Sequence, residues 1–374
     1  MDLTLDEDQT AIVDLARRVF EDHLPVERLR DIGAGSSWFA RDVWQQLAEA
    51  GLIGVGLPEA DGGGGFGALG ASLVLEEVGR AVAPVPYHST VMLGALPLAR
   101  FGSVEQRRRD LPAVLAGEAV LGAALCEAGD PFVPDSFATN ARREGGAYRL
   151  DGEKWFVSYA EDARRLLVAA SSAEGPVVLL VDPSVSGVSL ERVEASSFEP
   201  QWIVRFDGVG VDDSDVLGGA EVVSCLVDHA LAGLCSMQAG VSEKALRLTA
   251  AHVSEREQFG QKVATFQAVA QRAADAFIDT QAIVLTSRQA AWRLTDGRDA
   301  TAALAIAKYW GAEAGQRVAH AAQHLHGGIG VDTDYPLHRY FRWAKVLELS
   351  MGGAAVQLDR LGGLLAGGGA AVDD

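Results

Sequence analysis

The sequence has few cysteines, few basic residues and no long apolar run. Its three cysteines, Cys126, Cys225 and Cys235, are odd in number and far apart, which excludes the paired spacing of a zinc site or a disulfide framework. This scarcity favours a reducing cytoplasm. No segment approaches eighteen uninterrupted apolar residues, so we expect no membrane span. The first twenty residues alternate acidic and apolar residues, which predicts an amphipathic helix. They lack the basic leader and apolar core of a signal peptide, so none is expected.

The shortage of positive charge excludes a second class of partner. Acidic residues number 51 against 32 basic ones, which gives a formal net charge of −19. Nucleic acids and anionic membranes are bound largely through neutralisation of phosphates by Lys and Arg. We therefore expect neither a nucleic acid nor a membrane as a partner. At 374 residues, 48% of them apolar, the chain is long enough for two or three structural units with buried cores.

Three stretches of the sequence differ in hydrophobic pattern. In residues 1–118 apolar residues recur at helical spacing, in 119–217 short apolar runs alternate with Gly, Pro, Asp and Ser, and in 218–374 the helical period returns. The second helical stretch is clearest on one face between Phe266 and Leu285. The pattern predicts an α+β protein, mainly helical, with an N-terminal all-helical domain, a middle β domain and a C-terminal helical domain.

Gly65, Gly67 and Gly70 match the GxGxxG pattern of dinucleotide-binding turns. Two interpretations are open: a nicotinamide-dinucleotide site, or a loop that connects helices. The apolar run that would form the preceding strand is separated from the glycines by Pro58 and its polar neighbours, and no alternation of strands and helices follows. The pattern therefore favours the loop.

The stretch EREQFGQKVATFQ, which begins at Glu255, carries a candidate phosphate site. Gly260 is predicted to end one helix as a left-handed cap, and Thr265 to cap the next. Arg256 would then lie near a helix N-terminus, where a cation and free N–H groups suit a pyrophosphate. The alternative is a surface arginine paired with one of the neighbouring glutamates.

The stretch QHLHGGIG, which begins at Gln323, has three glycines in four positions. Such glycines permit the backbone to approach a flat or anionic ligand, or merely form a tight turn. The histidines and aspartates nearby lack the spacing of an established metal site, so no metal is expected.

Together these stretches resemble the acyl-CoA dehydrogenase family, flavoenzymes that remove the α and β hydrogens of an acyl-CoA thioester. The resemblance spans nearly the whole chain and includes GLIGVGLPEADGGGG from Gly51, LVLEEVGRAVAPVP from Leu73, YRLDGEKWFVS from Tyr148 and VRFDGVGV from Val204. It implies a β-sandwich-like middle domain and a C-terminal four-helix bundle through which subunits associate. It also implies FAD lying across a subunit interface and electron-transfer flavoprotein as the electron acceptor.

The resemblance assigns two sets of FAD contacts. Those that a subunit lends to its neighbour's FAD match Arg256, Gln258, Phe259, Gln267, Gln323, His324, Gly327 and Gly328. The family's usual glutamine three residues before the first glycine is His324 here, and Gln323 lies one place earlier.

The second set of contacts serves the flavin ring within the same subunit, and here the sequence is altered. Cys126, Glu127 and Ala128 stand in place of threonine, glutamate and proline, and Gly129, Asp130 and Pro131 follow. The tryptophan and threonine that usually contact the flavin correspond to Phe156 and Ser158.

The family reaction needs a base for the α proton while the β hydrogen leaves as hydride. The family's usual glutamate follows the glycine loop by a fixed interval, and counting that interval leads to Met351. Some members place the glutamate on the first bundle helix, and counting back from Arg256 to that site leads to Ala230. Neither side chain accepts a proton. Asp228 lies nearby, but two positions along a helix turn its side chain to another face.

The predicted function is FAD-dependent α,β-dehydrogenation of an acyl-CoA by a CH–CH oxidoreductase. In this hypothesis the chain is the base-lacking subunit of a heterotetramer with half the usual flavins, and a homologous partner supplies the glutamate. Two alternatives stay open: a self-sufficient homotetramer that uses Asp228 or Glu348 as its base, and a catalytically inactive scaffold. Fatty acyl or steroid CoA thioesters are expected as substrates by analogy alone.

Overall fold

The structure, a computed structural model, describes residues 3–34, 38–129, 132–133, 136–197 and 199–367. Its contacts group the chain into two compact units. One unit is built from Met1–Gly35, Ser72–Ala83 and Leu231–Asp374, and the other from Ser36–Ala71 and Pro84–Ala230. Each unit joins segments that are distant in sequence, so the domain boundaries at 118 and 217 stay predictions.

The first part of the chain is helical, as its periodicity predicts. Helix α1 begins with a capping box: the Asp6 carboxylate accepts from the Gln9 backbone N–H, and the Gln9 side chain accepts from the Asp6 N–H. A π-helical segment, His88–Ala95, leads into α5. The helices are α1 Glu7–His23, α2 Val26–Ala34, α3 Arg41–Glu49, α4 Gly67–Ala81, α5 Leu96–Phe101 and α6 Val104–Leu115.

The glycines of the GxGxxG pattern lie in and after a loop. No strand precedes them within the fully described stretch 51–66, and Gly67 is the first residue of α4. Gly65 and Gly67 have left-handed φ angles of 77° and 61°, and a Cβ on Gly70 would come within 2.4 Å of the Phe66 Cβ. Backbone conformation and close packing therefore explain these glycines, which supports the loop interpretation.

The middle of the chain forms a mixed sheet in the order β6-β7-β3-β2-β4-β5-β8, with β1 parallel to β4. The predicted apolar runs lie in β3, β4, β5 and β7. The pairing of β3 with β7 shifts register between Lys154 and Val157, so Phe156 lies at an irregularity. The strands are β1 Val120–Ala124, β2 Asn140–Glu144, β3 Ala147–Ser158, β4 Ala163–Ser172, β5 Gly175–Val181, β6 Val188–Val193, β7 Gln201–Asp212 and β8 Val216–Gly218.

The last part of the chain is again helical, which confirms the predicted order of helical, β and helical regions. A stretch of α7 is apolar enough and long enough to cross a membrane, but 67% of that window is buried inside the protein, as in a core helix. Two short strands, β9 Glu257–Gln258 and β10 Gln261–Lys262, separate α7 from α8. The helices are α7 Ala220–Glu255, α8 Gln267–Thr295, α9 Thr301–His326, α10 Leu337–Leu349 and α11 Ala354–Ala366.

Candidate functional site

The segment between α7 and α8 is a β-hairpin that projects into solvent. Gln261 pairs with Gln258 across the hairpin. Phe259 and Gly260 form the turn with φ angles of 55° and 80°, the left-handed values that a tight hairpin turn requires. Phe259 is 94% exposed, and Gln258 beside it is exposed as well. The hairpin therefore presents its side chains to a ligand or to another chain.

The predicted helix caps in this segment were wrong. Gly260 lies in the hairpin turn, not at the end of α7, and the Thr265 hydroxyl donates to the Lys262 carbonyl at 2.7 Å instead of capping α8. Arg256 directly follows α7, and its backbone N–H donates to the His252 carbonyl at 2.9 Å. The two-residue strands are too short to show an alternating pattern, so no periodicity in this segment predicts a strand.

The Arg256 guanidinium makes no ion pair with any residue that the structure describes. The Glu257 carboxylate lies 2.7 Å from the Lys262 ammonium, which also donates to the Glu255 carbonyl at 3.1 Å. In the described part of the chain, no carboxylate lies within ion-pair distance of Arg256. The structure thus argues against the paired surface arginine and leaves a planar cation for an anionic ligand.

The glycine loop begins where α9 ends. Gly327 has a φ of +64°, and a Cβ added to Gly327 or to Gly328 would meet nothing within 4 Å. Both glycines and His324 are exposed. This side of the loop is therefore open to close approach by another molecule.

Gln323 holds the loop from inside. With its amide oriented to satisfy both partners, the side chain donates to the Gly330 carbonyl at 2.9 Å and accepts from the Val331 N–H at 3.3 Å. A Cβ on Gly330 would lie 2.5 Å from the end of the Gln323 amide, so a larger residue there would displace this contact. Of the two candidates for the family's glutamine, His324 faces solvent, whereas Gln323 positions the loop.

The segment that matches the flavin-ring region is held by hydrogen bonds to the Glu127 carboxylate, which the sequence alone does not predict. The Glu127 carboxylate accepts from the Lys154 ammonium at 2.7 Å, from the Thr139 N–H at 2.9 Å and from the Ala138 N–H at 2.6 Å. Burial lowers the pKa of Lys154 to about 8. Burial alone would raise the pKa of Glu127, but the hydrogen bonds from Lys154, Thr139 and Ala138 leave it below its usual value.

The other residues predicted to contact the flavin ring lie on this segment and on β3. Cys126 is partly buried, and burial raises the pKa of its thiol, so it stays neutral. Phe156 is 54% exposed and has a left-handed φ of 56°. Ser158 is partly buried and keeps a hydroxyl for hydrogen bonding. Asp130 and Pro131 lie outside the described residues.

Met351 lies in the loop between α10 and α11, with its side chain buried. It has a φ of 55° and is 9% exposed, and its carbonyl accepts from the Gln357 side chain at 2.8 Å. Glu348, one of the alternative bases, pairs with the Lys345 ammonium at 2.5 Å. The position that the resemblance predicts for the base is thus occupied by an apolar side chain, and its nearest carboxylate in sequence is engaged by a cation.

A buried lysine holds the loop around Met351. The Lys308 ammonium, on α9, is 1% exposed and donates to the carbonyls of Leu347, Glu348 and Gly352 at 3.0, 3.0 and 3.1 Å. Burial lowers the pKa of Lys308 to about 8. The last carbonyls of α10 are therefore satisfied by a side chain from another helix.

The second possible base position is also apolar. Ala230, on α7, is 2% exposed, and its carbonyl lies 3.2 Å from the His88 Nε2. The neighbouring His229 has its Nδ1 2.8 Å from the Cys225 carbonyl oxygen. Burial lowers the pKa of both histidines to about 4, so both are neutral and weak proton acceptors at pH 7. Asp228 lies on the same helix, partly buried.

Comparison with known proteins identifies the fold. A family model described as "Acyl-CoA dehydrogenase, N-terminal domain" matches residues 6–118, and one described as "Acyl-CoA dehydrogenase, C-terminal domain" matches residues 218–364. The chain belongs to the acyl-CoA dehydrogenase family. Acyl-CoA dehydrogenase FadE27 of Mycobacterium tuberculosis is 36% identical over 98% of this chain and 99% of that protein. FadE28 of the same organism is 38% identical over 87% of this chain and 94% of that protein.

Solved acyl-CoA dehydrogenase structures share the fold over almost the full length. A variant of the Tcur3481-Tcur3483 steroid ACAD superposes with a TM-score of 0.92 at 41% identity, covering 98% of this chain and 99% of that one. One chain of the ChsE4-ChsE5 complex from Mycobacterium tuberculosis superposes with a TM-score of 0.93 at 36% identity, with the same coverage. The family uses FAD and oxidises CH–CH bonds. The uncommitted Arg256 and the open glycines of the loop fit such a cofactor.

Proposed function

We propose that this chain is the base-lacking subunit of a heteromeric acyl-CoA dehydrogenase and that a homologous subunit supplies the catalytic glutamate. One observation carries the proposal. Both base positions, Met351 and Ala230, are buried and apolar, whereas the hairpin and the glycine loop are exposed and open. The chain is thus equipped to complete a neighbour's site and not to abstract a proton itself.

The residues that would hold the neighbour's FAD are on the exposed side. Arg256 offers a forked cation to a phosphate, Phe259 offers an exposed ring, and Gln258, Gln267 and His324 offer hydrogen-bonding groups. The open glycines of the loop allow close approach. When bound, FAD supplies the acceptor for the hydride equivalent lost from the substrate.

An apolar stripe on α8 supports association with another subunit. Phe277, Ile278 and Leu285 are 55%, 64% and 50% exposed, although the opposite face, with Ile283, is buried. Large exposed apolar side chains that lie together on one face mark an association surface. We therefore assign this stripe to the subunit interface that the family resemblance implies.

The named relatives support a substrate class and an acceptor. One relative is named a steroid ACAD and another is a complex of ChsE4 with ChsE5, which supports a bulky CoA thioester, such as one with a steroid fragment, and a two-component assembly. A structural neighbour at 26% identity and a TM-score of 0.91 comes from work on an electron-transferring flavoprotein. Electron-transfer flavoprotein is thus the proposed acceptor, and the cytoplasm the proposed location.

The test is to express the chain alone and together with homologues encoded beside it, and to measure native mass, flavin per chain and acyl-CoA turnover. We expect a heterotetramer with half the usual flavin per chain, and turnover only in the complex. A partner whose catalytic glutamate is replaced by glutamine is the matched control, since it should keep the flavin and lose turnover. Full flavin occupancy and turnover by the lone chain would refute the proposal.

A further inference from the structure

The two segments proposed to serve a neighbour's FAD meet at a pair of stacked histidines. His252 lies in the last turn of α7, and its carbonyl accepts from the Arg256 N–H that starts the hairpin. His326 is the last residue of α9 and directly precedes the glycine loop. The two imidazole rings are stacked, with centroids 4.6 Å apart and planes 18° from parallel. This contact joins the hairpin to the loop.

The orientation of His326 is fixed by two hydrogen bonds. Its ring is buried, and Nδ1 lies 2.8 Å from the Ala322 carbonyl oxygen, so Nδ1 carries a proton and donates. In the neutral ring Nε2 is then an acceptor, and it lies 3.1 Å from the Tyr335 hydroxyl. Tyr335 therefore donates to His326 and holds the ring against His252.

We propose that His252, His326 and Tyr335 form a positioning device that fixes the hairpin against the glycine loop for a neighbouring subunit's FAD, and that protonation of the stacked histidines releases it. This inference rests on the proposed function, because it concerns the same FAD contacts. The three residues act through Arg256 and the loop and need no contact with the cofactor themselves.

The groups around the stack favour neutral rings. Burial lowers the pKa of His252, and the nearby Arg256 lowers it further, although Glu255 opposes this. Burial also lowers the pKa of His326. The nearby His252 lowers this pKa further, whereas the hydrogen bond to the Ala322 carbonyl raises it. Tyr335, the remaining titratable neighbour, stays protonated because burial and Glu255 raise its pKa.

Acid should disrupt this arrangement in a defined way. A proton on His326 Nε2 turns that atom into a donor, so the Tyr335 hydroxyl must rotate to accept. Two imidazolium rings at the stacking distance would also repel each other. The rings are stacked when they are neutral. FAD affinity should therefore be highest above the usual histidine pKa of about 6.5 and fall at lower pH.

The first experiment measures the dissociation constant of FAD for the complex with the partner subunit at pH 7.5 and pH 5.5, by flavin fluorescence. The wild type should bind on the order of tenfold more weakly at pH 5.5. His252→Phe keeps a stacking ring that cannot titrate, so it should remove most of this pH dependence. His252→Ala loses the stack and should weaken binding at pH 7.5 by about five- to tenfold. His320→Ala, an exposed histidine on the same α9, is the control.

The second experiment follows hydrogen exchange in the full-length lone chain at a single pH. His252→Ala should speed exchange in residues 256–263 and in residues 325–331 together, because the stack joins them. Faster exchange in only one of the two segments, or unchanged FAD affinity in the variant complex, would overturn the inference. If the complex holds no FAD at all, the proposed function fails instead, and the exchange result still decides whether the stack couples the two segments.

Discussion

The exposed hairpin between α7 and α8 and the buried loop around Met351 use their polar groups in opposite ways. In the hairpin, Arg256 has no carboxylate partner among the described residues, and Phe259 stands in solvent. Around Met351, by contrast, the backbone carbonyls are bound by Lys308 and Gln357. A loop that has lost its function by drift would not be expected to keep a buried lysine on three carbonyls, given what burying that charge costs. The comparison therefore favours division of labour between subunits over decay.

The largest expected effect is on the stability of the loop around Met351. Lys308→Met removes the donor to two buried carbonyls and one partly buried carbonyl, so it should lower the free energy of unfolding by about 3–5 kcal/mol. The measurement is denaturant unfolding followed by circular dichroism. Lys345→Met, which removes a partly exposed cation from the same region, is the matched control, and its cost should stay below about 1 kcal/mol. Equal losses in the two variants would show that the loop is not held by Lys308.

The second effect is the pH dependence of stability beside Ala230. Burial lowers the pKa of His229 from 6.5 to about 4, so between these values the unfolded chain binds a proton that the folded chain lacks. The contribution of His229 to the free energy of unfolding has its full value above pH 6.5 and falls by about 3 kcal/mol as the pH drops to 4. His229→Leu should reduce the slope of unfolding free energy against pH in this range, and part of the slope that remains comes from His88, whose pKa burial also lowers to about 4. The exposed His320→Leu should leave the slope unchanged, and an equal change in both variants would contradict the assignment.

The coarse fold was predictable because periodicity alone separates helical from β regions, and each region contains several repeats of its period. The hairpin was not predictable, since its strands are only two residues long and Phe259 is an unusual residue for a left-handed turn. Lys308 left one weak signal: it lies four residues after Leu304 and three before Gly311, on the buried face of α9. Such spacing predicts that the lysine lies in the core, but it does not predict which carbonyls the ammonium binds.

Within the site, the counting of intervals located residues and could not assign their roles. Gln323 and His324 are neighbours in sequence, and only the contacts show that Gln323 bonds Gly330 and Val331 within the loop. The stack of His252 on His326 joins residues 74 positions apart, a separation at which a single sequence carries no signal. Side-chain roles of this kind depend on tertiary packing that local patterns do not encode.

The third prediction concerns the affinity for FAD and the exposed hairpin between α7 and α8. Arg256→Ala should weaken FAD binding by the partner complex about thirtyfold, or roughly 2 kcal/mol, because a charge-assisted contact to phosphate is lost. Arg256→Lys keeps the charge but not the planar fork, so its loss should be intermediate. The measurement is flavin retained per complex after dialysis against FAD-free buffer. Arg298→Ala, which removes an exposed arginine paired with Asp296, is the control. Equal retention in all variants would show that the hairpin does not reach the cofactor.

The smallest expected effect is the most direct test of the comparison. Met351→Glu restores the family base in the lone chain, yet Cys126 and Phe156 would still serve the flavin ring poorly, so we expect almost no dehydrogenation of acyl-CoA. The buried carboxylate should also cost about 1–3 kcal/mol of unfolding free energy, and Met351→Gln separates the cost of polarity from that of charge. Turnover is measured by reduction of an artificial electron acceptor, with flavin content determined in parallel. Robust turnover by Met351→Glu without a partner would mean that one side chain separates this chain from a complete enzyme, and that the changes around the flavin ring are neutral.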